Sequence, residues 1–321
     1  MSVQDSNQEV TWKTSSAEEG LRLEAFVRRH LPHLSRRQSV KAIDENAFWV
    51  NGRRGKKGQR LKQGDLVIFH GAELWLSSSP VAAKDGRISI AYEDAEIILV
   101  DKPAGMATHG FSAREVDTLA NLLIARWPEL AAVGKSRWQP GLLNRLDTDT
   151  SGLVLVAKNQ QAFDDLREQF RRRQIIKKYI ALVWDHPADS GSIRLRLAHD
   201  STDKSRMQVI GPSGTNRQRL KSWHALTRFR KLANSGEMSL LEILMETGIT
   251  HQIRAHLAAI GHPIVGDSLY ASKRDPMALG RHFLHACGLE FSHPVSGVWV
   301  AVGSPLPTEL TNFLKRMEIV A

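Results

Sequence analysis

The sequence predicts an α+β protein, a small basic αβ module followed by a larger domain on a mixed, largely antiparallel sheet. Three observations predict it. Residues 18–70 pack two short amphipathic helices and a hairpin into about 50 positions. Beyond them, strand and helix patterns mix without the regular βαβ alternation of a doubly wound sheet. Several strand patterns also follow one another closely enough to pair antiparallel.

The chain has 321 residues, 42% hydrophobic and 24% charged, enough for a small domain beside a medium one. No stretch reaches the roughly 18–20 apolar residues of a membrane span, and the polar N-terminus has no signal-type apolar run. Cys287 is the only cysteine, so a disulfide within the chain is excluded and a cytoplasmic location is expected. The net charge of +10 suggests a polyanionic partner. Residues 18–70 alone carry twelve Lys/Arg against six Asp/Glu.

In order along the chain, 1–17 is expected to be a flexible tail. In LRLEAFVRRHL, Leu23, Phe26, Val27 and Leu31 share a helical face. Ser35 then caps a second helix with Val40 and Ile43 inward and Arg36, Arg37 and Lys41 on the basic side. A strand at FWV, a turn at Asn51-Gly52, a basic loop and a strand from Leu66 to Phe69 complete the module. Residues 71–87, rich in Ser, Pro and Gly, are expected to be a linker. The second domain spans 88–321. It opens on a strand pair over ISIAYEDAEIILVDK and continues with a buried strand, LVLVA (153–157). A helix follows with Phe163, Leu166 and Phe170 inward, then a strand at KKYIALVW.

The stretch NRLDTDTSGLVLVAK (144–158) resembles the first half of a calcium loop, with Asp147, Asp149 and Ser151 alternating before Gly152. Calcium would need a bidentate Glu at the twelfth position, and that position is Lys158. His251 and His256, five apart, do not share a helical face as an i, i+4 zinc pair would. No metal is expected. Without one, the loop offers a carboxylate on a turn that feeds a core strand, either an active group facing a cleft or an Asx-turn capping the strand.

Residues 18–70, through RLEAFVRRHLPHLSRRQ, FWVNG and KKGQRLKQGDLV, resemble the RNA-binding domain named after ribosomal protein S four of the small subunit. NRLDTDTSG resembles the HRLDxxTSG signature of the RluA family of pseudouridine synthases. DKPAGMATH (101–109), KKYIALV (177–183) and TGITHQIRAHLAAIGHPIVGDSLYA (247–271) resemble three further family stretches, in the family's order. Two positions depart from the pattern: Asn144 replaces His, and Ile249 replaces the first Arg of TGRTHQIR.

The resemblance implies an enzyme that isomerises uridine to pseudouridine in RNA after base flipping, with no cofactor. Asp147 would be the catalytic carboxylate. It must stay ionised in a cleft, which calls for a nearby cation, and Arg254 is the candidate. Tyr179 would lie against the uracil and take the proton from the new carbon–carbon linkage. Arg145 would fill the space left by the flipped base or grip a phosphate. Arg36, Arg37, Lys41, Arg53, Arg54, Lys56 and Lys57 would bind RNA, together with RRRQIIKK (171–178). The expected partner is structured RNA, large-subunit ribosomal RNA first and transfer RNA as the alternative, and the expected state is a monomer. Two rival functions are a non-catalytic RNA-binding ribosome-assembly factor and a carboxylate-based hydrolase of a small nucleoside or sugar. Only the hydrolase would have no use for the basic module.

Overall fold

The computed structural model describes residues 7–319, apart from 73–74, 77–78, 84–85, 112–114, 204, 212–220 and 272–278. The small domain contains β1 (Asn7–Lys13), α1 (Leu23–His30), α2 (Arg36–Asp44), β2 (Phe48–Val50), β3 (Arg53–Arg54) and β4 (Leu66–Ala72). Its sheet is antiparallel in the order β1-β4-β2-β3. Leu23, Phe26 and Val27 of α1 are buried against Ile43, Phe48 and Phe69. Ser35 caps α2 by accepting from the Gln38 amide, and Gln38 reaches back to the Ser35 amide.

Two boundaries differ from expectation. The segment expected to be a flexible tail contains β1, paired with β4 over all seven residues. Its alternating Val10 and Trp12 pack on the small core, so burial on one face outweighs the polar composition around them. The expected linker is also partly structural. β4 runs on to Ala72, Trp75 is buried in the small core, and Val81 and Ala83 hydrogen-bond to Asn121 of the second domain.

The second domain comprises β5 (Ser89–Glu93), β6 (Ile97–Lys102), α3 (Leu119–Arg126), β7 (Ser151–Ala157), α4 (Gln160–Arg171), β8 (Ile176–Trp184) and β9 (Ser190–His199). It continues with β10 (Met207–Ile210), β11 (Ser222–Ser235), β12 (Met238–Met245), α5 (Gln252–Ala259), β13 (Leu284–Ser292), β14 (Trp299–Gly303) and α6 (Thr308–Arg316). Its ten strands form one sheet in the order β10-β9-β11-β12-β8-β13-β7-β6-β5, with β14 paired to β13. Every pairing is antiparallel except β13 with β7. The sheet is therefore mixed and largely antiparallel, as the sequence predicts.

The place of β7 in the sheet explains why LVLVA (153–157) is apolar throughout. Val154 and Val156 face one core, with α3 and α6, while Leu153, Leu155 and Ala157 face a second, under α4. A strand covered on both faces has no polar side to show. At its start, Gly152 has φ +112°, and a Cβ there would stand 2.2 Å from the Ala286 carbonyl oxygen of β13. The parallel seam closes only on glycine.

Candidate active site

The loop 143–150 enters from Leu142, which bridges to Val156, and leaves into β7. Its backbone is gripped from several sides. The Asn144 side chain accepts from the Leu155 amide at 2.8 Å and donates to the Leu153 carbonyl at 3.3 Å. The Thr108 hydroxyl donates to the Leu146 carbonyl and accepts from the Leu146 amide, at 2.8 and 3.1 Å. Lys102 is fully buried, and its ammonium donates to the carbonyls of Pro103, Met106 and Thr148 at 2.7–3.0 Å. Burial pulls its pKa down to about 8, against the pull of Asp147 and Asp149. Arg281 holds the Asp149 carbonyl at 2.8 Å. His282 meets the Thr150 hydroxyl at 2.7 Å, and burial pulls its pKa down to about 4, so the ring is neutral near pH 7.

Asp147 projects from this loop into a cavity of about 340 Å³ lined by Thr108, His109, Arg145, His251, Arg254 and His282. Arg254 Nη1 donates to Asp147 Oδ2 at 3.0 Å. The rest of the guanidinium is committed to Asp267, with Nε and Nη2 reaching its two carboxylate oxygens at 2.7 and 2.9 Å. Asp267 is buried and also accepts from the amides of Leu269 and Tyr270. Burial alone would raise its pKa, but the paired Arg254 brings it below the ordinary carboxylate value. Burial likewise disfavours the Arg254 charge, and the two carboxylates more than restore it. The planar fork of arginine suits this double use, because its donor pairs point at fixed angles.

Around this axis, His251 caps α5 in the left-handed region at φ +53°, with Nε2 at 3.8 Å from Asp147 Oδ2 and Nδ1 at 3.2 Å from the Tyr270 hydroxyl. A non-glycine residue in that conformation is held by its surroundings. His256, buried, bonds to Thr227 and the Leu195 carbonyl. No cluster of metal-ligating side chains occurs among the described residues.

Of the residues expected at the site, Asp147 and Arg254 are in contact, and Tyr179 lines the same cleft. Tyr179 is buried on β8, and burial, followed by the charge of Asp147, raises its pKa above the usual phenol value. Arg145 is exposed at the cleft mouth. Ile249 is a cleft wall rather than a second cation. Arg36, Arg37, Lys41, Arg53, Arg54, Lys56 and Lys57 are all exposed on the small domain. Gln38 of α2 donates to the carbonyl of Phe111, which lines the cleft, so the basic helix abuts the rim of the site. Lys102, Asp267 and His282 were not singled out from the sequence, and His251 was weighed there only as a metal ligand. The signals for them were available, since Lys102 lies in DKPAGMATH, and Asp267 and His251 lie in the stretch TGITHQIR…GDSLYA.

Residues 96–259 match the family model described as RNA pseudouridylate synthase, just over half of the chain. The chain belongs to the RNA pseudouridine synthase family. Residues 21–67 match the S4 domain. An uncharacterized RNA pseudouridine synthase of Chloroflexus aurantiacus is 38% identical, with 92% of this chain and 90% of the relative covered. The ribosomal large subunit pseudouridine synthase D of Xylella fastidiosa is 33% identical, over 93% and 89% of the two chains. Among solved structures, human RNA pseudouridylate synthase domain containing 1 aligns with TM-score 0.55 and 28% identity, over 70% of this chain and 86% of that one. The synthase domain is thus an isomerase domain preceded by an RNA-binding one. No helix among the described residues is long and apolar enough to cross a membrane.

Proposed function

We propose that this synthase converts uridine in large-subunit ribosomal RNA to pseudouridine, with Asp147 as the catalytic carboxylate. One observation carries the assignment. Asp147 stands in the cleft on a loop fixed through its backbone, 3.0 Å from an arginine that Asp267 holds in place. A carboxylate so placed can act as a nucleophile or accept a proton. It serves three routes equally well: attack on the anomeric carbon, attack on the uracil ring, or removal of a ribose proton to give a glycal. The uridine must leave its stack to reach Asp147, and Arg145 at the mouth fills the vacated space or grips the adjoining phosphate. Tyr179 forms the wall against the uracil. Its raised pKa keeps the hydroxyl protonated, so it can donate a hydrogen bond, and it can take the proton from the new carbon–carbon linkage only as it passes its own proton on.

The choice of large-subunit ribosomal RNA rests on the names of relatives such as the Xylella fastidiosa enzyme. The exposed basic residues of the small domain suit the backbone of folded RNA. The test incubates wild type and Asp147→Asn with total RNA from a strain lacking the gene, then maps pseudouridine by chemical labelling. Wild type should modify discrete ribosomal sites, and the variant should lose at least about a thousandfold in rate. Modification of transfer RNA alone would overturn the target, and a fully active variant would overturn the role of Asp147.

A further inference from the structure

Among the described residues, two lysines of the synthase domain are buried, and their surroundings differ. Lys102 has three N–H directions and three carbonyls that accept them, so it is a structural pin. Lys177 of β8 is 6% exposed and donates to one acceptor among the described residues, the Thr247 carbonyl at 3.0 Å. It pairs with no carboxylate among them. Lys177 lines a cleft of about 520 Å³ that also takes in Asp147 and Tyr179, and its ammonium stands 5.7 Å from the centre of the Phe170 ring, which lines the same cleft. Burial alone pulls its pKa down to about 8. A cation kept in so costly a place, with donors left over, is suited to an anion arriving from outside.

The rest of the cleft has the same sign. Arg145, Arg167 and Arg173 line it and make no ion pair among the described residues. Glu246, its one acidic lining residue besides Asp147, is already paired with Arg228 at 2.8 Å. Lys177 and Tyr179 are two apart on one strand, so both side chains leave the same face, about 7 Å from each other along it. That is comparable with the reach from a base to its neighbour's phosphate. Lys178, between them, points the other way and pairs with Glu290.

We propose that this cleft holds the RNA strand next to the target uridine, with Lys177 as the buried anchor for one backbone phosphate. The inference rests on the RNA-modifying role above and gives that site its flanking subsite. A uridine at Asp147 with its ring against Tyr179 places the adjoining phosphodiester at Lys177, and the three arginines line the path of the strand outward.

The test is a salt titration of binding to a uridine dodecamer by wild type, Lys177→Gln and Lys177→Met. The amide of Gln keeps a donor for Thr247 without the charge. Met keeps the length of the side chain and is the variant to measure if Gln does not fold. Loss of the phosphate contact should weaken binding about tenfold at low salt. It should also lower the slope of log affinity against log salt by about 0.7, the value for one phosphate on a single strand. Affinity and slope equal to wild type would overturn the subsite. Pseudouridine mapping on total RNA, run in parallel with wild type, reports separately on the synthase role. A wild type that binds with the expected slope but modifies nothing would overturn that role and leave the subsite standing.

Discussion

Replacing Asp267 by Asn tests how Arg254 is aimed. Asp267 is wholly buried, receives two charged hydrogen bonds from Arg254 and two from backbone amides, and lies across the guanidinium from Asp147. Asn offers one carbonyl oxygen and turns an NH2 toward a donor, leaving a buried cation half-matched. Removing one member of a buried pair costs about 3–5 kcal/mol. For a domain of this size each kcal/mol moves Tm by about 2–4 °C, so melting should fall by about 10 °C. Because Arg254 would then be free to tilt, single-turnover pseudouridine formation should fall further than RNA affinity does. The assay is thermal unfolding and single-turnover rate on the same preparations, with Arg254→Met and the double variant closing a cycle. Contacting residues should couple by about 0.5–3 kcal/mol. A variant that melts within 2 °C of wild type at full rate, or a cycle with no coupling, would refute the clamp.

Two further outcomes follow from packing and titration. Gly152→Ala places a methyl 2.2 Å from the Ala286 carbonyl oxygen at φ +112°, and should cost about 3 kcal/mol or more; urea unfolding at fixed m-value checks it, and a loss under about 1 kcal/mol would contradict the close seam. His282 has a folded pKa of about 4 against 6.5 for the free side chain, so between those values the unfolded state binds the additional proton. Stability therefore rises with pH through that window and levels off above it, a span of about 3 kcal/mol. Melting at pH 4.5 and 7.5 should differ less for His282→Asn than for wild type.

The elements most legible in the sequence were those with a strong period. The buried face of α1, the Ser35 cap and the doubly covered β7 each declare themselves in side-chain pattern. β1 did not, because only Val10 and Trp12 signal it among polar neighbours. At the site, Asp147 and Arg254 stood out through the motifs that hold them, and their contact follows across 107 positions of chain. Asp267 was missed because an Asp after a Gly reads as a turn residue. Its second role depends on α5 lying beside it, which no local pattern shows. Lys102 is similar: a lysine in a Pro-Gly turn suggests solvent, and only the folded loop supplies its three carbonyls.

The loop that carries Asp147 is held largely through its main chain, by the amide and carbonyl of Leu146 and the carbonyls of Thr148 and Asp149, while the side chains of Asn144 and Thr150 tie it to β7 and to His282. Its shape therefore does not depend on which side chains Arg145, Thr148 and Asp149 present at the cleft mouth. These outward positions are free to change with the RNA being modified, while the carboxylate stays where it is. The side chains at the cleft mouth and the placement of the Asp147 carboxylate are set by different atoms of the same eight residues.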